Sequence, residues 1–94
     1  MAEQRRYDFI VSTIVPAKDE EGNIDEFCRQ YDAMLKKAPF DGELVFVDDG
    51  SSDHTLDKIR ENATKYSFVK FRSHQRNRGL TEALQTGFSA ASGS

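Results

Sequence analysis

Residues 43–49 read Glu-Leu-Val-Phe-Val-Asp-Asp, an unbroken apolar run that ends on two carboxylates. Four consecutive apolar residues leave no polar face, which is the pattern of a parallel strand buried on both sides. Asp41-Gly42 before the run marks a turn, and Asp-Gly-Ser-Ser after it is turn chemistry again. A strand of this kind needs flanking elements above and below it, and the neighbouring segments have the spacing to supply them.

Phe9 to Val15 is rich in β-branched residues and closes on Pro16, which lacks the N–H a ladder needs and so stands at a strand end. Beyond a polar loop, Ile24, Phe27, Cys28, Tyr31, Met34 and Leu35 recur at helical spacing, with Asn23 as N-cap and an end near Ala38-Pro39. After the central run, Asp53 or Ser52 can accept the first free backbone N–H groups of a second helix. Its apolar stripe is Leu56, Ile59 and Ala63, and it runs to about Tyr66. Phe68 to Phe71 predicts a short third strand and Ser73 to Gly79 a basic polar loop. Leu80, Ala83, Leu84, Gly87, Phe88 and Ala91 outline a third helix.

Strand and helix thus alternate three times. The expected fold is α/β, a βαβαβα Rossmann-like unit of three parallel strands with right-handed crossovers. Residues 1–94 are expected to form one partial domain, with disordered ends at about 1–7 and 92–94. Sheets of this kind normally have more than three strands. An exposed apolar edge is therefore expected, and with it a homo-oligomer.

Composition narrows the function. A chain of 94 residues buries only roughly two-thirds of the surface its unfolded form exposes, which argues against a complete enzyme with a large enclosed pocket. Thirteen basic against sixteen acidic residues give a net charge of -3, whereas a nucleic-acid binder carries a basic excess. The single Cys28 excludes an internal disulfide and a cysteine-based zinc site, and fits a reducing compartment. No apolar stretch approaches the roughly 18 residues of a membrane span. The start Met-Ala-Glu-Gln-Arg-Arg-Tyr-Asp lacks the apolar core of a secretory signal, so a cytoplasmic location is expected.

In open α/β sheets ligands bind beyond the carboxyl ends of the strands. Three loops qualify, Pro16 to Asn23, Asp48 to Thr55 and Ser73 to Gly79, and they are expected to converge on one rim. Adjacent strand residues face opposite ways, so Asp48 and Asp49 are expected to differ in role. One turns inward to backbone donors, and the other turns outward over the rim, where it can accept N–H groups from a nucleobase edge. The same residues also simply make a good turn. Lys18 stands among Asp19, Glu20 and Glu21, whose charge repels a bare phosphate, so this loop suits a base or ribose. An acidic first turn that complements the helix dipole is the simpler account of Glu21.

Lys70, Arg72, Arg76 and Arg78 form a stretch without an acid that suits a diphosphate, because arginine offers phosphate a planar fork of donors. Taken singly, each is also an ordinary solvated cation. His74 and His54 have no second histidine, cysteine or orienting acid at a telling spacing, and both read as surface residues. The sequence contains no phosphate-binding P-loop, no dinucleotide glycine fingerprint, no Gly-x-Ser-x-Gly elbow and no Cys/His nucleophile pair. Covalent catalysis has no support.

Three segments, STIVPAKDEEGNI, ELVFVDDGSSDHT and NRGLTEALQTGF, stand in this order. Together they resemble the N-terminal half of family 2 glycosyltransferases of the GT-A fold, in particular the dolichol-phosphate mannose synthase and polyprenyl-phosphate glycosyltransferase branch. The resemblance covers about residues 9–93. It implies a nucleotide-diphosphate-sugar donor, a UDP- or GDP-sugar, and inverting transfer assisted by Mg2+ or Mn2+. It also implies a polyprenyl-phosphate acceptor and a place at the cytoplasmic face of a membrane for the full-length protein. By the same resemblance Pro16, Ala17, Lys18, Asp19 and Glu20 flank the nucleoside, Asp49 with Asp48 beside it holds the base edge, and Arg78 contacts the donor. Asn77, Gly79, Ala83 and Gly87 match the family's N-x-G-x-x-x-A-x-x-x-G start of a helix.

Two departures are visible. The family often has an aromatic residue and Asn before the glutamate, and Lys18-Asp19 stands here, so stacking of the base at that position does not carry over. The metal-binding Asp-x-Asp and the catalytic base follow later in family members than Ser94. The expectation is the nucleoside-binding half of a larger enzyme, inactive alone. The competing expectation is a non-catalytic nucleotide-binding or oligomerising α/β module. A phosphoacceptor receiver domain ranks low, since it needs an acidic pair after strand one and a phosphoacceptor after strand three.

Overall fold

The computed structural model describes residues 10–92. Its elements are β1 (Ile10–Ala17), α1 (Ile24–Leu35), β2 (Asp41–Asp49), α2 (Thr55–Lys65), β3 (Val69–His74) and α3 (Leu80–Ala90), the alternation that the sequence predicts. Phe9 lies outside the described residues, and so do the ends expected to be disordered, apart from Ser92.

The three strands form one parallel sheet in the order β1-β2-β3. β2 is central, and residues 43–49 are all buried, as an apolar run with two covered faces requires. Pro16 is the second-last residue of β1, a strand paired on one side only within this sheet, where a missing ladder donor is tolerated. The register sets Ala17 beside Asp48, and Asp48 and Asp49 beside Ser73 and His74. The strands therefore end level.

α1 and α2 cover one face, where Leu44 and Phe46 pack with Ile24, Cys28, Tyr31 and Ile59. α3 covers the other, with Gly87 so close to β1 and β2 that an added Cβ would stand 2.3 Å from Ile14 Cγ2. Two crossovers of one hand that step the same way along a sheet put their helices on the same face. α3 therefore departs from that pattern and lies on the opposite face of the sheet from α1 and α2.

The apolar stripes are wider than the faces they cover. Phe27 and Met34 of α1 are 42% and 41% exposed, and Leu80 and Phe88 of α3 are 66% and 68% exposed. α1 meets the sheet through Ile24, Cys28 and Tyr31, which leaves Phe27 at the margin, edge-on to Phe46 at 6.0 Å between ring centres. Asn23 does occupy the N-cap of α1 but makes no capping bond, and its amide donates to Glu20 instead. At the amino end of β2, the buried Glu43 carboxylate accepts from Ser12 Oγ at 2.6 Å and from the Ser92 N–H, and pairs with Lys70 at 2.9 Å.

Candidate functional site

Level strand ends bring the three loops to one rim. The first two are laced together by side chains bonded to backbone. Asp19 N–H donates to Ser51 Oγ at 2.9 Å, Glu20 N–H to Thr55 Oγ1 at 2.7 Å, and Glu21 N–H to Asp53 at 3.3 Å. In return Ser52 N–H donates to Asp19 at 2.8 Å and His54 N–H to Glu21 at 3.2 Å. Asp19 adopts φ 56°, in the left-handed region that Asn and Asp enter more readily than other side chains. The Ser52 N–H, opposed by desolvation and helped by Lys18, holds the Asp19 carboxyl below the usual aspartate range. The acidic loop is thus engaged with its neighbour.

The third loop docks on Gly50. That residue has φ +73°, and a Cβ there would stand 2.4 Å from the backbone of Arg76 and Asn77, so glycine is needed both for the turn and for the approach. The approach delivers two donors to Asp49: Arg78 N–H to Oδ1 at 2.9 Å and Gly79 N–H to Oδ2 at 3.0 Å. His74 Nδ1 lies 2.8 Å from the same Oδ1, and its Nε2 lies 2.8 Å from Thr86 Oγ1. Burial raises the Asp49 pKa, but the bonds from Arg78, His74 and Gly79 outweigh it and leave the carboxyl below its ordinary value.

The reading of His74 as a surface residue is therefore corrected. It is 8% exposed and bonded at both ring nitrogens. Its orienting acid is far away in sequence and adjacent only across the ladder, so local spacing could not show it. Register could have, since parallel strands that end level pair Asp49 with His74. His54 is exposed as expected, with its ring 3.1 Å from Asp57.

Beside this network lies a cleft of about 260 Å³. Its walls are Pro16, Ala17 and Lys18 from the end of β1, Asp49 from β2, and Asn77, Gly79, Leu80 and Ala83 at the start of α3. A carboxylate oxygen offers two acceptor sites. Among the described residues Asp49 Oδ1 uses both, on Arg78 and His74, while Oδ2 takes one bond, from a Gly79 N–H that it shares with Asn77 Oδ1, and has one acceptor site left. Lys18 adds a cation, and α3 opens on Gly79 with no side-chain cap, so its first-turn N–H groups add donors.

Of the candidates named from sequence, Pro16, Ala17, Lys18 and Asp49 meet in the cleft. Asp19 and Glu20 bind the second loop instead, and Arg78 contributes its backbone N–H to Asp49. Asp48 lies on the opposite face of β2 from Asp49, 3% exposed, with no hydrogen-bond partner for Oδ1 among the described residues. The two aspartates face opposite ways and differ in their partners, but both are buried, so neither is an outward carboxylate on an exposed rim. Leu80, read from sequence only as part of a helix stripe, turns out to line the cleft. Among the described residues no three His, Cys, Asp or Glu side chains stand together, as a metal ion held by protein side chains alone would need. No helix of the described residues is long and apolar enough to cross a membrane.

The chain is similar to a dolichol-phosphate mannosyltransferase of Pyrococcus furiosus, 37% identical over 83 residues, covering 88% of this chain and 23% of that protein. It is also similar to a dodecaprenyl-phosphate galacturonate synthase of Rhizobium johnstonii, 33% identical over 84 residues, covering 88% of this chain and 25% of the relative. Among solved structures, the mannosyltransferase PcManGT of Pyrobaculum calidifontis, determined in complex with GDP-Man and Mn2+, matches with a TM-score of 0.73. The match has 27% identity over 94% of this chain and 26% of that one. The chain therefore spans about a quarter of the length of these proteins, and its α/β arrangement is that of a GT-A glycosyltransferase. A family model described as "Glycosyl transferase family 2" matches residues 12–94, and with the fold in agreement the chain belongs to that family.

Proposed function

We propose that this chain forms the nucleoside-binding part of an inverting glycosyltransferase that moves a sugar from a UDP- or GDP-sugar to a polyprenyl phosphate. The observation that carries the reading is the cleft at the carboxyl ends of β1 and β2, with an Asp49 acceptor site open beside Lys18 and the start of α3. A buried carboxylate with one free acceptor site suits N–H groups on a base edge or a ribose hydroxyl. Leu80 offers an apolar surface at the mouth, and Arg76 and Arg78 on the adjoining loop suit the diphosphate. Pro16, Ala17 and Lys18 flank the nucleoside, and Asp19, Glu20 and Asp48 support that wall from behind.

In the complete enzyme a Mg2+ or Mn2+ ion would supply charge neutralisation at the diphosphate. The described residues offer it no ligand set, so its ligands are assigned to further parts of the protein, as is the catalytic base. The relatives' names, which mention dolichol and dodecaprenyl phosphates, support a polyprenyl-phosphate acceptor and with it a working position at a membrane, which we assign to the cytoplasmic face.

GDP and UDP titrated into the chain, followed by amide chemical shifts, test the reading. Shifts are expected at Ala17, Lys18, Asp49 and Gly79, equal with and without Mn2+. If neither nucleotide moves these signals, the nucleoside reading is wrong. A second reading, an oligomerising module without transfer, is favoured by the outer edges of β1 and β3, which have no strand partner among the described residues, and the same titration separates it from the first.

A further inference from the structure

The acceptor site on Asp49 is useful only if the carboxylate is held still, and one of the groups that hold it makes no contact with the cleft. We propose that His74 is the positioning residue of this site. From the end of β3 it fixes the Asp49 carboxylate so that the open site on Oδ2 faces an incoming nucleoside. This rests on the nucleoside reading above.

An ionised carboxylate can only accept, so the proton between the two groups belongs to His74 Nδ1. In the neutral ring Nε2 is then an acceptor, and Thr86 donates its hydroxyl to it. One ring thus ties β2, β3 and α3 together at their functional ends. Terminal torsions of aspartate are broad and roughly two-fold, so an Asp held only by loop donors retains freedom to turn. Arg78 and Gly79 are such donors, since they precede α3 and belong to no ladder. His74 differs: it is the ladder partner of Asp49, 8% exposed, and clamped at both nitrogens. With both nitrogens in use it is not placed to act as a base or a metal ligand, and its effect on a ligand passes through Asp49. A group ordered in advance loses less freedom on binding, which is how such a residue raises affinity without touching the ligand.

The experiment compares His74→Asn, which retains an N–H donor, with His74→Phe, which keeps a ring and removes the donor, and with Thr86→Val. GDP and UDP affinities are measured by calorimetry on the whole chain, each variant well below its own melting temperature. His74→Phe is expected to bind about tenfold more weakly, and His74→Asn to stay within about threefold of the parent, as expected for loss or retention of one charge-assisted hydrogen bond. Thr86→Val, which leaves the ring free to turn, is expected to fall between them. The ring 15N signals of the unsubstituted chain are expected to show the proton on Nδ1.

Parent-like affinity in His74→Phe would reduce His74 to packing and overturn the proposal, as would a neutral ring carrying its proton on Nε2. If the His74 variants do not fold, Thr86→Val and the ring signals decide alone. A parent chain that binds neither nucleotide overturns the nucleoside reading, and this inference with it. A parent that binds beside an unimpaired His74→Phe overturns this inference alone.

Discussion

Glu43 and Asp49 stand at opposite ends of one face of β2, and each is a buried carboxylate kept ionised by its partners. For Glu43, burial raises the pKa, and Ser12, the Ser92 N–H and Lys70 more than reverse it, to about 2. The unfolded chain should titrate near the ordinary value of roughly 4.3. A folded pKa below the unfolded one means that the stabilisation is fully present above roughly pH 4.3 and is lost as the pH falls towards 2. Glu43→Gln is therefore expected to cost about 1–3 kcal/mol at pH 7, and that difference should narrow at pH 3. Urea unfolding of both proteins at the two pH values checks it, and a difference that does not depend on pH would contradict the ion-pair account. Asp49, also held below its ordinary range, adds to the loss of stability in acid in the same direction.

At the level of elements, the tightest constraint is where α3 crosses the sheet. Gly87→Ala would place a methyl 2.3 Å from Ile14 Cγ2 and 3.3 Å from Val47 Cγ2. Alanine is the better helix former by about 1 kcal/mol, but overpacking costs about 1–3 kcal/mol, and the β-branched Ile14 has few rotamers to escape into. A lower urea midpoint is expected, with a displaced α3 seen as shifts at Ile14 and Val47; an unchanged or raised midpoint would show that the helix can slide. Each element was legible in the sequence for a physical reason. β2 announces itself because four apolar residues in a row have only one comfortable environment, and α2 because Asp53 stands where free N–H groups need an acceptor. The converging rim followed from parallel strands. Less legible were matters that only register or helix rotation decides. Phe27 and Met34 fit the periodicity of α1 yet fall outside its contact face, and the partnership of His74 with Asp49 exists only across the ladder.

On the scale of the molecule, the described residues form a three-stranded sheet whose two outer strands, β1 and β3, are each paired on one side only. α3 covers the second face, the outer edge of β1 has no strand partner among the described residues, Val11 on that strand is 39% exposed, and Phe88 is 68% exposed on the helix. Size-exclusion chromatography across a range of concentrations is expected to show this chain self-associating, and a strictly monomeric, folded chain at every concentration would speak against that. Burial of β2 on both faces has a further consequence for how the protein is made. Leu44 to Val47 leave the ribosome well before α3, the helix that closes their second layer. At bacterial or eukaryotic elongation rates the gap lasts on the order of seconds, and throughout it one face of this apolar tract is uncovered. Slowing translation between β2 and α3 is therefore expected to lower the soluble yield of the protein.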